Sequence, residues 1–209
     1  MPFADWDIYT SGVMTIDETT DNAISDTKSL RVSVGDVATR ANGVPKTSST
    51  LPQPSLKGKL TQLVRPVTLG GGRFFGLMSM QSARNVTTSG SAYLAVLDGT
   101  QVLLAKIASG ISGSFVTLGS ASAFVLSAAT NYAIELEWDA SDQAGAGGTQ
   151  LWVRAGLATN LTALTEYVVH TDTSGPLTTT LGEGWFFKTP TFPTAVDARY
   201  DNTQIYRAQ

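Results

Sequence analysis

Apolar and polar residues alternate along much of this chain. In 132–139, Tyr132, Ile134, Leu136 and Trp138 share one face of an extended segment, while Ala133, Glu135, Glu137 and Asp139 share the other. After a polar, glycine-rich connection, Leu151 and Val153 oppose Trp152 and Arg154 in the same way. A period of two marks an antiparallel strand with one face buried and the other in water. Similar signals predict strands at Asp7–Thr10, Val13–Asp17, Ser29–Val34, Lys59–Leu69, Arg73–Gln81, Ala92–Leu97, Gln101–Ile107, Phe115–Leu118, Tyr132–Asp139, Thr149–Ala155, Tyr167–Thr171, Gly184–Lys188 and Ala195–Tyr206. Asp98-Gly99, between AYLAVL and TQVLLAKI, predicts a tight hairpin, since a type I′ turn needs positive φ at both central residues.

The strongest helical candidate, 156–167, is rich in Thr and lacks a wide apolar stripe, so it reads as a loop or a single turn. The stretch from Ala38 to Leu56 holds three prolines and many small polar residues, and predicts a long surface loop. No internal repeat is visible. Residues 1–209 therefore read as a single all-β domain, a two-sheet antiparallel β-sandwich.

Composition narrows the function. Charged residues make up 15% of the chain, the net charge is −3, and Ser and Thr supply much of the polar surface. Lys and Arg are not clustered, which argues against nucleic acid as a partner. The absence of cysteine rules out disulfides, thiolate metal sites and a cysteine nucleophile. The first residues show no basic segment followed by an apolar one, so export is not expected, and the sequons at Asn85 and Asn160 carry little weight. No apolar run approaches the ~18 residues of a membrane span.

Three segments resemble the concanavalin A-like jelly roll of lectins, laminin-G domains and carbohydrate-binding modules. They are the opening Trp6–Gly12 with Lys28–Val34, the hairpin of Tyr132–Gly156, and the closing stretch Ala198–Tyr206. The resemblance implies a jelly roll whose first and last strands lie side by side. Among tailed-phage virion proteins, domains of this kind with a Ser/Thr/Ala/Gly-rich composition are familiar. By that analogy the chain is expected to be a capsid decoration or cement protein, made in the host cytoplasm and located in the virion. It would bind neighbouring capsid subunits and form a homo-oligomer, with a trimer fitting an icosahedral three-fold axis. The alternative is a carbohydrate-binding, host-recognising module, and a distant third is a glycoside hydrolase.

The candidate chemistry is sparse. Glu135, Glu137 and Asp139 share a strand face, where alternate residues lie ~6.6–7 Å apart. A retaining glycosidase needs carboxyls about 5–5.5 Å apart. Laminarinase-like enzymes of the resembled fold carry Glu-x-Asp-x-Glu or Glu-x-Asp-x-x-Glu on such a strand. Here the central residue is Glu and the last is Asp, so the row reads as a solvated strand face and no enzymatic activity is expected. His170, the single histidine, has Asp172 two residues on but no accompanying nucleophile motif, and reads as structural. No cofactor is expected; the resemblance leaves a structural calcium as an option, with Asp139, Asp142, Asp197 and Asp201 as donors. Trp152, Trp185 and Phe187 are the candidate binding residues, as a subunit interface or a sugar-stacking platform. Because Trp185-Phe186-Phe187 places rings on both faces of one strand, one side is expected to meet the proline-containing loop or a neighbouring subunit.

Overall fold

A computed structural model describes residues 5–21, 23–24, 28–34, 39–46, 55–68, 74–121, 124–141, 147–159, 163–178, 180–189 and 196–207. Among them are fourteen strands and no helix. In chain order these are β1 (Trp6–Ser11), β2 (Met14–Thr19), β3 (Ser29–Val34), β4 (Arg40–Pro45), β5 (Lys57–Thr68), β6 (Phe74–Ser79) and β7 (Ala92–Leu97). They continue as β8 (Val102–Ile107), β9 (Val116–Ala121), β10 (Tyr132–Asp139), β11 (Thr149–Leu157), β12 (Thr165–Asp172), β13 (Gly184–Lys188) and β14 (Val196–Arg207). Two seven-stranded sheets form, β1-β4-β13-β6-β7-β8-β9 and β12-β11-β10-β5-β14-β3-β2. Strand neighbours run antiparallel in both. The expected all-β, two-sheet sandwich is what the chain forms.

The inward rows follow the alternation. Leu136 and Trp138 of β10, Leu151 and Val153 of β11, and Leu60 and Val64 of β5 meet Phe75, Leu77, Tyr93, Leu104, Trp185 and Phe187 of the facing sheet. The segments FFGLMS, AYLAVL and VLLAKI are nearly continuous apolar runs because β6–β8 are buried on both faces. Their outer side, with Met78, Leu94, Val96, Leu103, Ile107 and Phe186, is covered by Val86, Ile111 and Phe115. Segment 81–91 is pinned there by Asn42, whose amide donates to the Arg84 carbonyl and accepts from the Val86 amide. Segment 110–113 is tied to 86–90 by backbone bonds such as Ile111 N to Val86 O, 2.8 Å. Phe186 thus finds its cover within its own chain, which corrects the expectation that a proline loop or a second subunit supplies it.

Two further expectations are corrected. Within the supposed loop 38–56, Arg40–Pro45 is a strand with β1 on one side and β13 on the other. Small residues make it one: a Cβ added at Gly43 would stand 2.3 Å from Nε1 of Trp185, so a bare backbone lets the indole lie across β4. Residues 47–54 lie outside the described set. The first and last strands are not partners either. The two edges of β14 are taken by β3 and β5, and β1 pairs with β4 in the other sheet. The hairpin at Asp98-Gly99 forms, but its turn is centred one residue later. Asp98 N donates to Gln101 O at 3.3 Å, and Gly99 carries the positive φ of 98°.

Candidate functional site

The outer face of the second sheet carries the carboxylate row. Across β10 and β11, Glu135 pairs with Arg154, Glu137 with Trp152 and Asp139 with Gln150. On the other side of β10, Glu135 faces Thr61, Glu137 faces Lys59 and Asp139 faces Lys57. On β12, Val169 stands opposite Trp152 and Glu166 opposite Arg154. The β11–β12 register slips between Val153 and Arg154, making Tyr167 the extra residue. That bulge lets Tyr167 pack at the core against Phe124, at 5.4 Å between ring centroids, and brings Glu166 round to Arg154.

Arg154 is the hub. Its Nη1 donates to Glu135 Oε1 and Glu137 Oε2, both at 2.7 Å, and its Nη2 to Glu166 Oε2 at 3.2 Å. Partial burial works against its charge, but the bonds to Glu137 and Glu135 outweigh that and raise its pKa. Glu135, which is nearly buried, also accepts from Thr61 and lies 3.3 Å from Lys59. Asp139 accepts from Lys57 Nζ at 2.7 Å and from both the amide and hydroxyl of Ser141. The Lys57 bond, followed by those of Ser141, holds the Asp139 carboxyl below its ordinary range. A row read as a solvated face is thus an ion-pair lattice lying on a sheet. In this arrangement both oxygens that Glu135 and Glu137 turn to Arg154 are already occupied.

The three aromatic candidates separate. Trp185 and Phe187 are 1% and 0% exposed, in the core; Trp185 stacks on Tyr200 at 5.4 Å and Phe187 packs on Phe75 at 5.7 Å. No ligand can reach them, so the binding role expected of these two is corrected. Trp6 and Trp138 are buried as well, and Trp138 donates to the Ser55 carbonyl at 2.9 Å. Trp152 alone of the four tryptophans is partly exposed. It lies on the outer face between Glu137 and the 57% exposed Val169, with Gln150 and Thr171 adjoining. Both Gln150 and Thr171 are exposed. The patch is an indole set among hydrogen-bonding side chains, capable of packing on an apolar surface while polar groups hold its rim.

A second polar group was not foreseen from the sequence, where Asp172 stood out only as a neighbour of His170. Asp172, at the end of β12, is 2% exposed and accepts from Tyr93 Oη and Lys106 Nζ, both at 2.7 Å. Lys106 also donates to the carbonyls of Ser174 and Gly175, and the Tyr93 hydroxyl accepts from the Leu177 amide. Burial pushes the Tyr93 phenol up. Burial would push Asp172 up too, but Lys106 and Tyr93 outweigh it and hold the carboxyl below its ordinary range. The three residues join β7 and β8 of one sheet to β12 of the other. Lys106 could have been noticed, because it continues the inward row of Val102 and Leu104. His170 is partly buried and pairs with Leu151 along the edge of the same sheet.

Among the described residues, no group of three or more His, Asp or Glu is placed to hold a metal ion. Asp139 is taken by Lys57, and Asp197 by Arg31 and Arg199; Asp201 accepts from Ser29, and Asp142 lies outside the described residues. No helix among the described residues is long and apolar enough to cross a membrane.

No protein-family model matches the chain, and no curated protein matches it. Solved structures do. The carbohydrate-binding module CBM66 from Bacillus subtilis superposes with a TM-score of 0.58 at 13% identity, over 97% of this chain and 95% of that one. The exoplasmic/lumenal domain of VIP36 in its Ca2+/Man3GlcNAc-bound form gives 0.61 at 10% identity, over 100% and 86%. An endo-β-1,4-glucuronan lyase from Trichoderma reesei gives 0.61 at 9% identity, over 99% and 92%. At such identities the likeness is one of fold, and that fold is the lectin-like jelly roll that the opening, middle and closing segments resemble.

Proposed function

We propose that this protein is a carbohydrate-binding β-sandwich module, and that its sugar packs on Trp152. The observation that carries the reading is the position of that indole on a polar outer sheet face while the other three tryptophans are buried. A pyranose presents a C–H-rich face that suits an indole and a rim of hydroxyls that suits Gln150, Thr171 and Glu137. Solved neighbours whose names include a carbohydrate-binding module and a Man3GlcNAc-bound domain support this reading. They lend no such support to capsid decoration, the function first expected from the sequence. Arg154, Lys59 and Lys57 hold the carboxylates of β10 in ion pairs, which favours a scaffolding role for that row over hydrolysis.

Depletion assays against insoluble cellulose, chitin and mannan test the reading. Wild-type protein is expected to bind at least one of them. Trp152→Ala is expected to weaken that binding at least ~10-fold, as loss of a central aromatic anchor does. Its cost to stability should stay within about 1 kcal/mol, the scale of a cross-strand contact on an open sheet face. A variant that binds as well as wild type, or a wild type that binds none of the three and no soluble polysaccharide either, would overturn the proposal.

A further inference from the structure

Building on that reading of Trp152, we infer that the platform takes uncharged sugars and turns away polyuronates. The inference rests on how the charges of the outer face are spent. Around Trp152 its carboxylates, Glu135, Glu137, Asp139 and Glu166, face the cations Arg154, Lys57 and Lys59. Each of these cations is engaged: Arg154 by three carboxylates, Lys59 by Glu135 and the ring of Tyr206, and Lys57 by Asp139. Two Nη atoms of Arg154 are directed at glutamates, so its fork is not offered to an arriving anion.

The group across the strand from Trp152 is Glu137, at a cross-strand separation of about 4.5–5.5 Å between Cβ atoms. A uronate stacked on the indole would bring its own carboxylate beside this one. Arg154 compensates Glu137 only in part, because the four carboxylates outnumber the three cations by one; the repulsion that remains, near a protein surface, weakens binding by roughly tenfold. A neutral sugar meets the same groups as acceptors, for an ionised carboxylate accepts readily from hydroxyls. Glu137 and Glu166 are the rim carboxylates with side chains open enough to do so, at 36% and 46% exposed. They would therefore decide specificity, while Trp152 supplies affinity.

Affinity electrophoresis through gels containing soluble mannan, xylan or hydroxyethyl cellulose, or polygalacturonate or polyglucuronate, separates the two claims. Wild type is expected to be retarded by a neutral polymer and to bind polyuronates at least ~10-fold more weakly at about 0.15 M salt. Trp152→Ala should lose the neutral retardation. The Glu137→Gln/Glu166→Gln double variant releases part of Arg154 and should narrow the gap about tenfold; raising salt to about 1 M should narrow it in the wild type without any substitution. Trp152-dependent binding of a polyuronate as tight as that of the neutral polymer overturns the selectivity and leaves the platform standing. A gap that neither the double variant nor salt alters also overturns it. No retardation by any polymer removes the platform, and the selectivity with it.

Discussion

Replacing Asp172 by Asn is expected to destabilise the protein by about 3 kcal/mol, the lower end of what breaking a buried ion pair costs. The substitution leaves Lys106, whose side chain is 16% exposed, with its charge facing the carbonyls of Ser174 and Gly175 and the ring of Tyr93 but no carboxylate partner. For a chain of this size, that is a fall in melting temperature of roughly 6–12 °C, measurable by calorimetry or circular dichroism. Pairing Asp172→Asn with Lys106→Met, which removes the stranded charge, should recover part of the loss. The same group sets an acid limit. Its pKa is lower in the folded chain than in the unfolded one, so its stabilisation is complete above the unfolded carboxylate range near ~4. It is lost as pH falls through the folded value. Wild type should therefore lose stability on acidification more steeply than Asp172→Asn. Equal slopes would show that Asp172 is not held ionised by Lys106 and Tyr93.

Trp185→Ala is expected to cost about 3–5 kcal/mol, the usual cost of emptying a core site of a large aromatic. The indole stacks on Tyr200 and lies against Gly43, so its removal opens a void between β4, β13 and the facing sheet. Partial collapse is restrained because Gly43 has no side chain to fill it. In denaturant titration the midpoint should fall well below that of wild type, whereas Trp152→Ala should barely move it. At temperatures where Trp185→Ala stays folded, its retention on polysaccharide should match wild type. This contrast separates two tryptophans that the sequence offered as equals. A Trp185→Ala protein as stable as wild type would contradict the placement of that ring in the core.

Alternation made most of the sandwich legible. Tyr132, Ile134, Leu136 and Trp138 do face inward, and Trp152 does oppose Leu151 and Val153. Strand β4 was hidden because RANGVP lacks a run of β-branched residues and adjoins a proline-rich stretch; its reason for being extended lies in Trp185, about 140 residues later. Burial of Trp185 and Phe187 was illegible for a related reason. A strand with rings on both faces looks like an interface until segments 81–91 and 110–115 are known to cover one side. The Tyr93–Lys106–Asp172 cluster depends on which strands end side by side, and local patterning does not encode that pairing.

The central claim is that Trp152 is the tryptophan open to a ligand, and collisional quenching of tryptophan fluorescence by acrylamide tests it most directly. The expected result is one accessible component among four tryptophans, absent in Trp152→Phe and protected when wild type is saturated with the polysaccharide that retains it. Quenching that persists unchanged in Trp152→Phe, or that bound polysaccharide leaves unprotected, would contradict the account.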